Sequence, residues 1–436
     1  MGLYNWVNRM YTNYPRLKQV SSLFAVNIII IPLSIVSNIF ITRFLGPEAF
    51  GDFKFLSYIF STAMVFFNFG LYYAGNRAIV LNSDKEKTRE YYGTMLVLMA
   101  AIFMVMFIFL MIYAFVDHNI VQKGLRSTLI MLIPFSWIFL MTNYFEILFQ
   151  ADNRISLLAK SRLYPRLLFL IATLGAYLIF SDSTGNRLRI IWALFMGAHI
   201  IGFGYIIYKV NPAFSNMRNR IKEVIHFNKT YGFNVYIGTL FNVATLSVSG
   251  MLISYFGATN AGVGFFGLAL TISEPLNVIP NVIATTHYKD FASKKSIERR
   301  LTRVTVAVSV IALILCWLLV GPFIKIFYGR EFIPVIYLTF IVSSGVIFHG
   351  MGDYYNRFLG AHGQGKALRN SAVIVGIVIV ICSFTLIPFF GQNGAAITRI
   401  LSGITYLSTM YWYYRRLVRE LKEPEETITP ETQPAA

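Results

Sequence analysis

The sequence is poor in charged residues and in cysteine. Only 13% of its 436 residues are charged, while 56% are hydrophobic, and soluble globular domains contain roughly a quarter charged residues. A soluble chain of this length would form two or three domains whose helices carry polar faces, so the shortage of charge excludes a soluble protein. The two cysteines, Cys316 and Cys382, lie within apolar runs and are expected to pack as small hydrophobic side chains.

Catalytic and metal-binding motifs are also absent from the sequence. It contains no Walker A sequence, no HExxH, and no group of His, Cys, Asp and Glu residues at metal-ligand spacing. The connections between the apolar runs are too short to hold a catalytic domain. We therefore predict that the protein is not an enzyme and that it holds no cofactor.

The net charge of +18 does not by itself indicate nucleic-acid binding. Such a charge is typical of nucleic-acid partners when it is gathered in a basic block. Here the basic residues lie in short loops, mostly on the side of the apolar runs that carries both termini. The positive-inside rule accounts for this asymmetry, so we predict no nucleic-acid partner and cytoplasmic termini.

Apolar runs of about 20 residues or more recur along most of the chain, which is the pattern of transmembrane helices. They predict an all-α integral membrane protein with about 12 transmembrane helices. The predicted spans lie near residues 20–44, 48–81, 92–116, 127–150, 156–180, 188–208, 231–256, 261–287, 302–327, 332–358, 370–390 and 394–414.

The turn Phe44–Phe53 (FLGPEAFGDF), between the first two predicted spans, is repeated in the second half of the chain. Gly46 and Gly51 correspond to Gly257 and Gly262 at one offset of 211 positions (257 − 46 and 262 − 51). Two further pairs of segments match at offsets of 210 and 209. We therefore predict two pseudo-symmetric six-helix lobes related by an axis along the membrane normal, as in parallel-repeat transporters.

This repeat divides the chain into five predicted parts. The first is a cytoplasmic segment whose apolar residues recur at helical spacing, as in an interfacial helix, and the last is rich in Pro, Glu and Thr, as in disordered tails. The parts are the N-terminal segment (1–19), the N-lobe (20–208), the cytoplasmic inter-lobe linker (209–230), the C-lobe (231–416) and the disordered cytoplasmic tail (417–436).

Several ionisable and polar residues lie inside the predicted spans. At the bilayer centre each ionisable residue costs at least about 2.5–3.5 kcal/mol, so such residues tend to face the interior of the bundle. Glu274 precedes Pro275 near the middle of its span, and a helix broken at midplane is typical of transporter binding or coupling sites. Asn27 and Asn38 share one helix face and predict either packing hydrogen bonds or a polar stripe that faces a cavity.

Other candidates also have purely structural explanations. Asp353 and Arg357 are four residues apart and can pair across one helical turn. Arg77 lies close enough to the membrane surface to extend its charge into the headgroups. The residues for which we predict a coupling or gating role are Glu274, Asp353, Arg357 and Asp52.

Seven short segments, in this order and spacing, carry a resemblance to a known family. They are FLGPEAFGDF (44–53), NFGLYYAGNRAIV (68–80), LFQADNR (148–154), YFGATNAGVGFFGLA (255–269), FYGREF (327–332), FLGAHGQGKA (358–367) and GQNGAAITR (391–399). Across about 20–416, the chain resembles the polysaccharide-transport, or O-antigen-type flippase, family of the multidrug/oligosaccharidyl-lipid/polysaccharide exporter superfamily.

The resemblance implies a transporter that alternates access between the two faces of a bacterial cytoplasmic membrane, through a cationic cavity between its lobes. The implied substrate is a polyprenyl-pyrophosphate-linked oligosaccharide, moved from the inner to the outer leaflet. The implied partners are this substrate, membrane lipids and other membrane proteins of polysaccharide assembly. Residues that would form the cationic path are Arg43, Lys54, Arg77 and Arg399, and Asn27 and Asn38 would line it.

An inside-negative membrane potential favours outward movement of a negative headgroup by about 2.3 kcal/mol per charge per 100 mV. Coupling to H⁺ or Na⁺ influx would therefore help transport without being obligatory. Two alternatives stay open. One is a cation-coupled multidrug exporter of the same superfamily, which would use Glu274 and Asp353, and the other is a membrane polysaccharide polymerase or ligase.

Overall fold

The computed structural model describes residues 15–179 and 186–422, apart from the side chains of residues 15–28, 238, 239, 241–246 and 289. All regular secondary structure in these ranges is helical. The predicted all-α class is therefore confirmed. Most of the predicted N-terminal segment and tail lie outside the described residues, so an interfacial helix and a disordered tail stay predictions.

The described residues of the first half form eight α-helices. They are α1 (Pro15–Phe66), α2 (Leu71–Val80), α3 (Lys85–Val116), α4 (His118–Gln122), α5 (Arg126–Leu132), α6 (Trp137–Ala151), α7 (Ile155–Ile179) and α8 (Arg187–Val210). A 3₁₀ turn, Ile133–Phe135, joins α5 to α6.

The second half begins with a short polar helix and ends with the longest helix in the structure. Its helices are α9 (Met217–Phe227), α10 (Phe233–Phe256), α11 (Ala261–Ser273), α12 (Pro275–Thr286), α13 (Tyr288–Ser293), α14 (Arg299–Phe323), α15 (Pro334–Ala361) and α16 (Gly365–Glu420). π-helical turns at Asn228–Gly232 and Ile324–Tyr328 and a 3₁₀ turn at Arg330–Phe332 complete the path.

Eight helices in the described ranges are long and apolar enough to cross a membrane, or nine if the pair Arg126–Phe135 and Trp137–Ala151, bent by 42°, forms one span. Two of the eight, α1 and α16, each consist of two helical arms separated by a glycine with non-helical backbone angles. The helix α16 covers two of the twelve predicted spans, whereas α1 covers the first and ends at Phe66 within the second (48–81), whose remainder forms α2. The multi-pass membrane fold is confirmed, while the count of twelve and the symmetry of the lobes stay predictions.

The break in α1 falls at Gly46, inside the turn that the sequence repeats. Its φ of 76° and ψ of 175° are accessible essentially to glycine alone. Pro47 then opens the second arm, because a proline has no N–H to leave unpaired in the first turn of a helix. The corresponding Gly257 is extended, with φ −95° and ψ 143°, so the two copies of the turn have different backbones.

We name the end of the bundle that carries Gly46 and Gly257 the turn end, and the opposite end, which carries α9, the linker end. At the turn end the two halves touch through glycine. A Cβ atom on Gly51 would lie 1.8 Å from the backbone oxygen of Asn260, and one on Gly264 would lie 3.0 Å from the backbone nitrogen of Gly51. The second arm of α1 and the start of α11 are therefore in direct backbone contact.

The hydrophobic packing differs between the two ends. One large core joins the first half to the turn end of the second half, through residues such as Phe50, Phe266 and Phe332. The linker end of the second half has a separate core, which includes Tyr354 and Phe358. The hydrophobic cores of the halves are thus merged at the turn end and separate at the linker end of the second half, while Gly70 of the first half is in backbone contact with Gly232.

The predicted linker is partly helical and is attached to the first half. Arg220 of α9 forms ion pairs with Glu90 of α3 at 3.0 Å and with Glu223 at 2.7 Å, and the Tyr91 hydroxyl donates a hydrogen bond to Glu223. Partial burial alone would raise the pKa of Glu223, but the hydrogen bond from Tyr91 and the charge of Arg220 outweigh it and lower this pKa. The linker is therefore attached to the first half through α9.

Candidate functional site

A polar cluster occupies the interior of the second half, between α12, α15 and α16. Its centre is the Asp353 carboxylate, which accepts hydrogen bonds from the Tyr406 hydroxyl at 2.9 Å and from the Asn281 amide at 3.1 Å. The Asn356 amide in turn donates to the Tyr406 oxygen at 2.9 Å. Because two donors hold Asp353, its charge is stabilised by dipoles within the protein.

His349 lies one helical turn before Asp353 and stacks on the Tyr406 ring, with centroids 4.4 Å apart and planes at 22°. Its Nδ1 atom is buried and has no hydrogen-bond partner among the described residues. An orphaned polar atom in a protein interior is uncommon. This side of the ring is therefore available to a water molecule or a ligand.

Arg399 of α16 completes the cluster and is its most unusual member. It is only 8% exposed, and its guanidinium makes no hydrogen bond or ion pair with any side chain or backbone atom in the described ranges. Its charge acts through space on Glu274 and Asp353. A buried guanidinium without an ion-pair partner is costly in a membrane protein.

Glu274 lies where α11 ends and α12 begins, as the sequence predicted. Pro275 occupies the first turn of α12, and Glu274 is exposed although it lies between two halves of one apolar stretch. The broken helix thus presents an accessible carboxylate toward Arg399 and Asp353. This arrangement is one that an incoming ion or an anionic group can alter.

Glycines on α15 bring these helices close enough for the cluster to form. A Cβ atom on Gly352 would lie 2.4 Å from the Tyr406 ring, one on Gly350 2.7 Å from Asn277 Oδ1, and one on Gly345 2.6 Å from the Arg399 backbone oxygen. Small residues allow such contact between membrane helices. These three glycines therefore position the site without contributing side chains of their own to it.

The structure does not support a helical-turn pair between Asp353 and Arg357. Asp353 bonds to Tyr406 and Asn281 instead, and Arg357 is exposed. The pairing explanation is therefore wrong, because donors on two other helices, Tyr406 and Asn281, bond to the Asp353 carboxylate. A coupling or gating role for both residues stays a prediction.

The first half contains a second charged cluster, around a cavity of about 380 Å³. Arg162 of α7 donates from Nε to Glu146 of α6 at 2.9 Å, and Arg166 and His199 line the same cavity. The His199 ring nitrogen Nδ1 bonds to the backbone oxygen of Phe195 at 2.8 Å. The sequence analysis missed Arg162 and Arg166, which a count of charges inside the fifth predicted span would have found.

The residues predicted to form a cationic path do not come together. Arg43 donates to the backbone oxygens of Ile326 and Phe327, each at 2.6 Å, and so links the halves at the turn end. Arg77 is exposed and lies over the Tyr231 ring, 5.9 Å from its centroid. These two side chains contact the opposite half rather than Arg399.

Lys54 lies at the boundary between the halves. Its ammonium is 5.2 Å from the centroid of the Phe50 ring, and its stem would be 3.4 Å from a Cβ on Gly267 of α11. It has no carboxylate within 4 Å in the part of the chain that the structure describes. Lys54 is therefore a second cation without a compensating charge.

The polar stripe on α1 is only partly described. Asn38 is buried, and its amide donates to the Ser34 oxygen of its own helix at 2.9 Å. This contact satisfies one donor locally. The side chain of Asn27 lies outside the described residues, so a role for the stripe in a cavity stays a prediction.

Asp52 belongs to a hydrogen-bonded group at the turn end that we name the turn-end latch: Asp52, Lys123, Ser254 and Asn260. The Asn260 amide donates to Asp52 at 2.7 Å, and its oxygen accepts from Lys123 at 2.9 Å and from Ser254 at 2.6 Å. Burial lowers the pKa of Lys123, against the opposing charges of Asp52 and Glu48. The latch joins the two halves where their repeated turns meet.

No three His, Cys, Asp or Glu side chains in the described ranges gather into a metal-binding group. What the fold provides is a helical membrane bundle with two halves packed together at one end and charged residues inside each half. This architecture defines a multi-pass membrane protein.

The chain belongs to the polysaccharide biosynthesis protein family, whose sequence profile matches residues 16–288. Two relatives align over most of their length. The capsular polysaccharide biosynthesis protein CapF of Staphylococcus aureus is 23% identical over 92% of this chain and 99% of its own. A putative O-antigen transporter of Escherichia coli K12 is 22% identical over 86% and 91%.

Solved structures share the fold. The lipid II flippase MurJ, in an inward closed conformation, superposes with a TM-score of 0.67 at 13% identity, over 92% of this chain and 89% of its own. An inward-facing multidrug resistance transporter of the MATE family of the MOP superfamily gives 0.65 at 13% identity, over 90% and 95%. The predicted superfamily is confirmed, and because both kinds of transporter match about equally well, the fold alone does not choose between them.

Proposed function

We propose that the protein is a flippase that moves polyprenyl-pyrophosphate-linked oligosaccharide from the cytoplasmic to the outer leaflet by alternating access. Membership of the polysaccharide biosynthesis family supports this, as do the names of CapF, the O-antigen transporter and the MurJ flippase. The observation that carries the proposal is two cations with no carboxylate within 4 Å among the described residues, Lys54 at the boundary between the halves and buried Arg399.

A pyrophosphate headgroup requires such cations. Moving a bare ion into hydrocarbon costs tens of kcal/mol by Born estimates, so the path must replace water with charges and dipoles. A side chain already paired to a carboxylate offers little to an anion, whereas an unpaired one gains a partner. Lys54 and Arg399 have no such ion pair and can therefore bind the headgroup. The oligosaccharide would bond to polar groups such as Asn281 and Asn356.

The packing of the halves supports an alternating-access cycle. The turn-end latch and the contact of Gly51 with Asn260 hold one end together, while the cores are separate at the linker end. If the linker end is cytoplasmic, as the basic residues predict, this conformation accepts substrate from the inner leaflet. Release to the outer leaflet then requires the latch to open and the linker end to close.

The same cluster offers a route for coupling. We propose Glu274 as the group that takes up H⁺ or Na⁺, because it is exposed and lies within the field of Arg399. Neutralising Glu274 would leave Arg399 free to bind phosphate oxygens. Asp353 and Arg357, on the adjacent α15, would respond to that change and gate the site.

A cation-coupled multidrug exporter is the second candidate, favoured by the accessible carboxylate of Glu274 and by the MATE-like fold. An organic cation needs uncompensated acids. Asp353 is already held by two donors, and the uncompensated side chains are basic. A polymerase or ligase has less support, because it needs an extended loop for catalysis and the connections here are short.

Depletion of the protein in its host tests the proposal. Lipid-linked oligosaccharide should accumulate in the inner leaflet, measured by its accessibility to a membrane-impermeant glycosidase in oriented vesicles. Complementation with Lys54→Met should fail, whereas Arg369→Met should restore transport, since Arg369 is an exposed cation of α16 away from the cluster. Normal outer-leaflet levels after depletion, with sensitivity to organic cations, would instead favour the exporter.

A further inference from the structure

A concave basic pocket lies at the linker end of the second half, outside the polar cluster. It has a volume of about 580 Å³ and lies between the start of α14 and the end of α16. Its basic side chains, all exposed, are Arg299, Arg303, Arg415, Arg419 and Lys422. Five positive charges from two helices that are distant in sequence thus converge on one cavity.

None of these five cations has a carboxylate within 4 Å in the described part of the chain. Neighbouring cations behave differently. Lys294 pairs with Glu298 at 2.5 Å, and Arg416 pairs with Glu420 at 2.9 Å. The carboxylates of this region therefore face away from the pocket, and the repulsion among its cations is left for an anion to relieve.

Aromatic side chains form the wall of the pocket. The Tyr355 ring packs on Tyr411 and Tyr414, with centroids 5.3 and 5.0 Å apart, and the Tyr414 hydroxyl accepts a hydrogen bond from the Ile297 backbone N–H at 3.1 Å. This wall belongs to one half of the chain only. The pocket therefore keeps its shape when the two halves move relative to each other.

The neighbouring residues place the pocket at the depth of lipid headgroups. Trp412, 56% exposed, lies on α16, and exposed Val304 and Val308 follow Arg303 on α14. Tryptophan and tyrosine concentrate where membrane spans meet water, and exposed valines on a spanning helix face acyl chains. Cations beside apolar surface at this depth match the two parts of a phospholipid.

We propose that this basic pocket binds the phosphate headgroup of an anionic phospholipid of the same leaflet, as a site separate from the transport path. Arginine forks suit phosphate oxygens, and basic pockets between membrane helices on the cytoplasmic side hold such headgroups in general. The acyl chains lie against the exposed apolar faces of α14 and α16. The lipid is bound throughout the cycle and does not cross the membrane.

Native mass spectrometry of the full chain, purified from nanodiscs that contain phosphatidylglycerol and phosphatidylcholine, tests the proposal. The wild-type protein should retain phosphatidylglycerol in preference to phosphatidylcholine. Arg303→Gln with Arg419→Gln should weaken retention by roughly 25-fold, since each basic residue near a membrane surface contributes about fivefold. The matched control is Lys294→Gln with Arg416→Gln, which removes two charges from the same region but leaves the pocket intact.

The control pair should retain phosphatidylglycerol as the wild type does. Equal losses in both double variants would overturn the proposal, because general surface charge would then explain binding. The melting temperature in detergent is then measured with inorganic phosphate and with phosphatidylglycerol. Equal stabilisation by both would show that the pocket binds free phosphate rather than a lipid headgroup. If the protein retained phosphatidylglycerol only after truncation at Lys422, the four glutamates of residues 423–436 would occupy the pocket in the full chain, and the proposal would be wrong.

Discussion

Each half of the chain contains an interior arginine, and the two arginines differ in their ion pairing. In the first half Arg162 pairs with Glu146, so its charge is compensated within the protein. In the second half Arg399 is more deeply buried and has no partner among the described residues. A compensated charge serves folding, whereas an uncompensated one lowers stability and is kept for a ligand. From this comparison we propose a structural role for the first cluster and a transport role for the second.

The largest expected effect is on transport in the variant Arg399→Gln. A hydrogen bond to a charged group contributes about 1.5–3 kcal/mol, so flipping in proteoliposomes should fall by roughly tenfold to a hundredfold. The melting temperature should stay the same or rise, because an uncompensated buried charge is removed. Loss of stability with unchanged flipping per folded molecule would reverse the role assigned to the second cluster.

Arg162→Gln should have the opposite profile. It leaves Glu146 without its ion-pair partner, and because both side chains are partly exposed (23% and 34%), the free energy of unfolding should fall by about 1–3 kcal/mol. Chemical unfolding in detergent measures this. Adding Glu146→Gln should recover part of the loss, and no recovery in the double variant would mean that the pair does not stabilise the fold.

A variant of the turn-end latch tests whether its hydrogen bonds hold the two halves together. Asn260→Ala removes its hydrogen bonds to Asp52, Lys123 and Ser254, each worth about 0.5–1.5 kcal/mol. Amide hydrogen exchange at 44–53 and 255–265 should accelerate severalfold. Thr259→Ala, a neighbouring change outside the latch, should leave exchange as in the wild type, and equal acceleration in both would contradict a specific latch.

The smallest expected effect concerns the attachment of α9 to the first half. Because the folded-state pKa of Glu223 is lowered from its ordinary value of 4.5, its contribution to stability is present above that pH and is lost as the pH falls through the folded-state pKa. Glu223→Gln should therefore lower stability near pH 7 by under about 1 kcal/mol and flatten the dependence of unfolding on pH below 4.5. An unchanged acid dependence would show that other carboxylates control it.

Sequence patterns predicted the fold class well because membrane insertion depends on local composition. The apolar runs, the Gly46-Pro47 break and the helix interruption at Glu274 were visible without a structure, since each rests on the backbone preferences of neighbouring residues. The candidate site was harder to predict. Glu274, Asp353 and Arg399 do lie together, whereas Arg43 and Arg77 lie elsewhere.

Tyr406 and Asn281, which hold Asp353, were missed because uncharged polar residues in apolar spans carry no strong signal. The turn at Phe44–Phe53 was predicted as one of two matched turns, and the structure added that the second copy supplies Asn260 to receive Asp52. That pairing is a relation between residues 208 positions apart. No local pattern encodes it.

The sequence by itself determined that this is a helical membrane protein, that its helices break at Gly46 and Glu274, and to which family it belongs, because these follow from hydropathy, glycine and proline chemistry and motif order. Only the tertiary structure decided which charges are compensated. Glu146 pairs with Arg162 and Asp353 bonds to Tyr406, while Arg399 has no hydrogen-bond or ion-pair partner within the described ranges. Compensation depends on distances between helices, and those distances arise from glycine contacts such as Gly352 with Tyr406, which form only when the whole bundle packs.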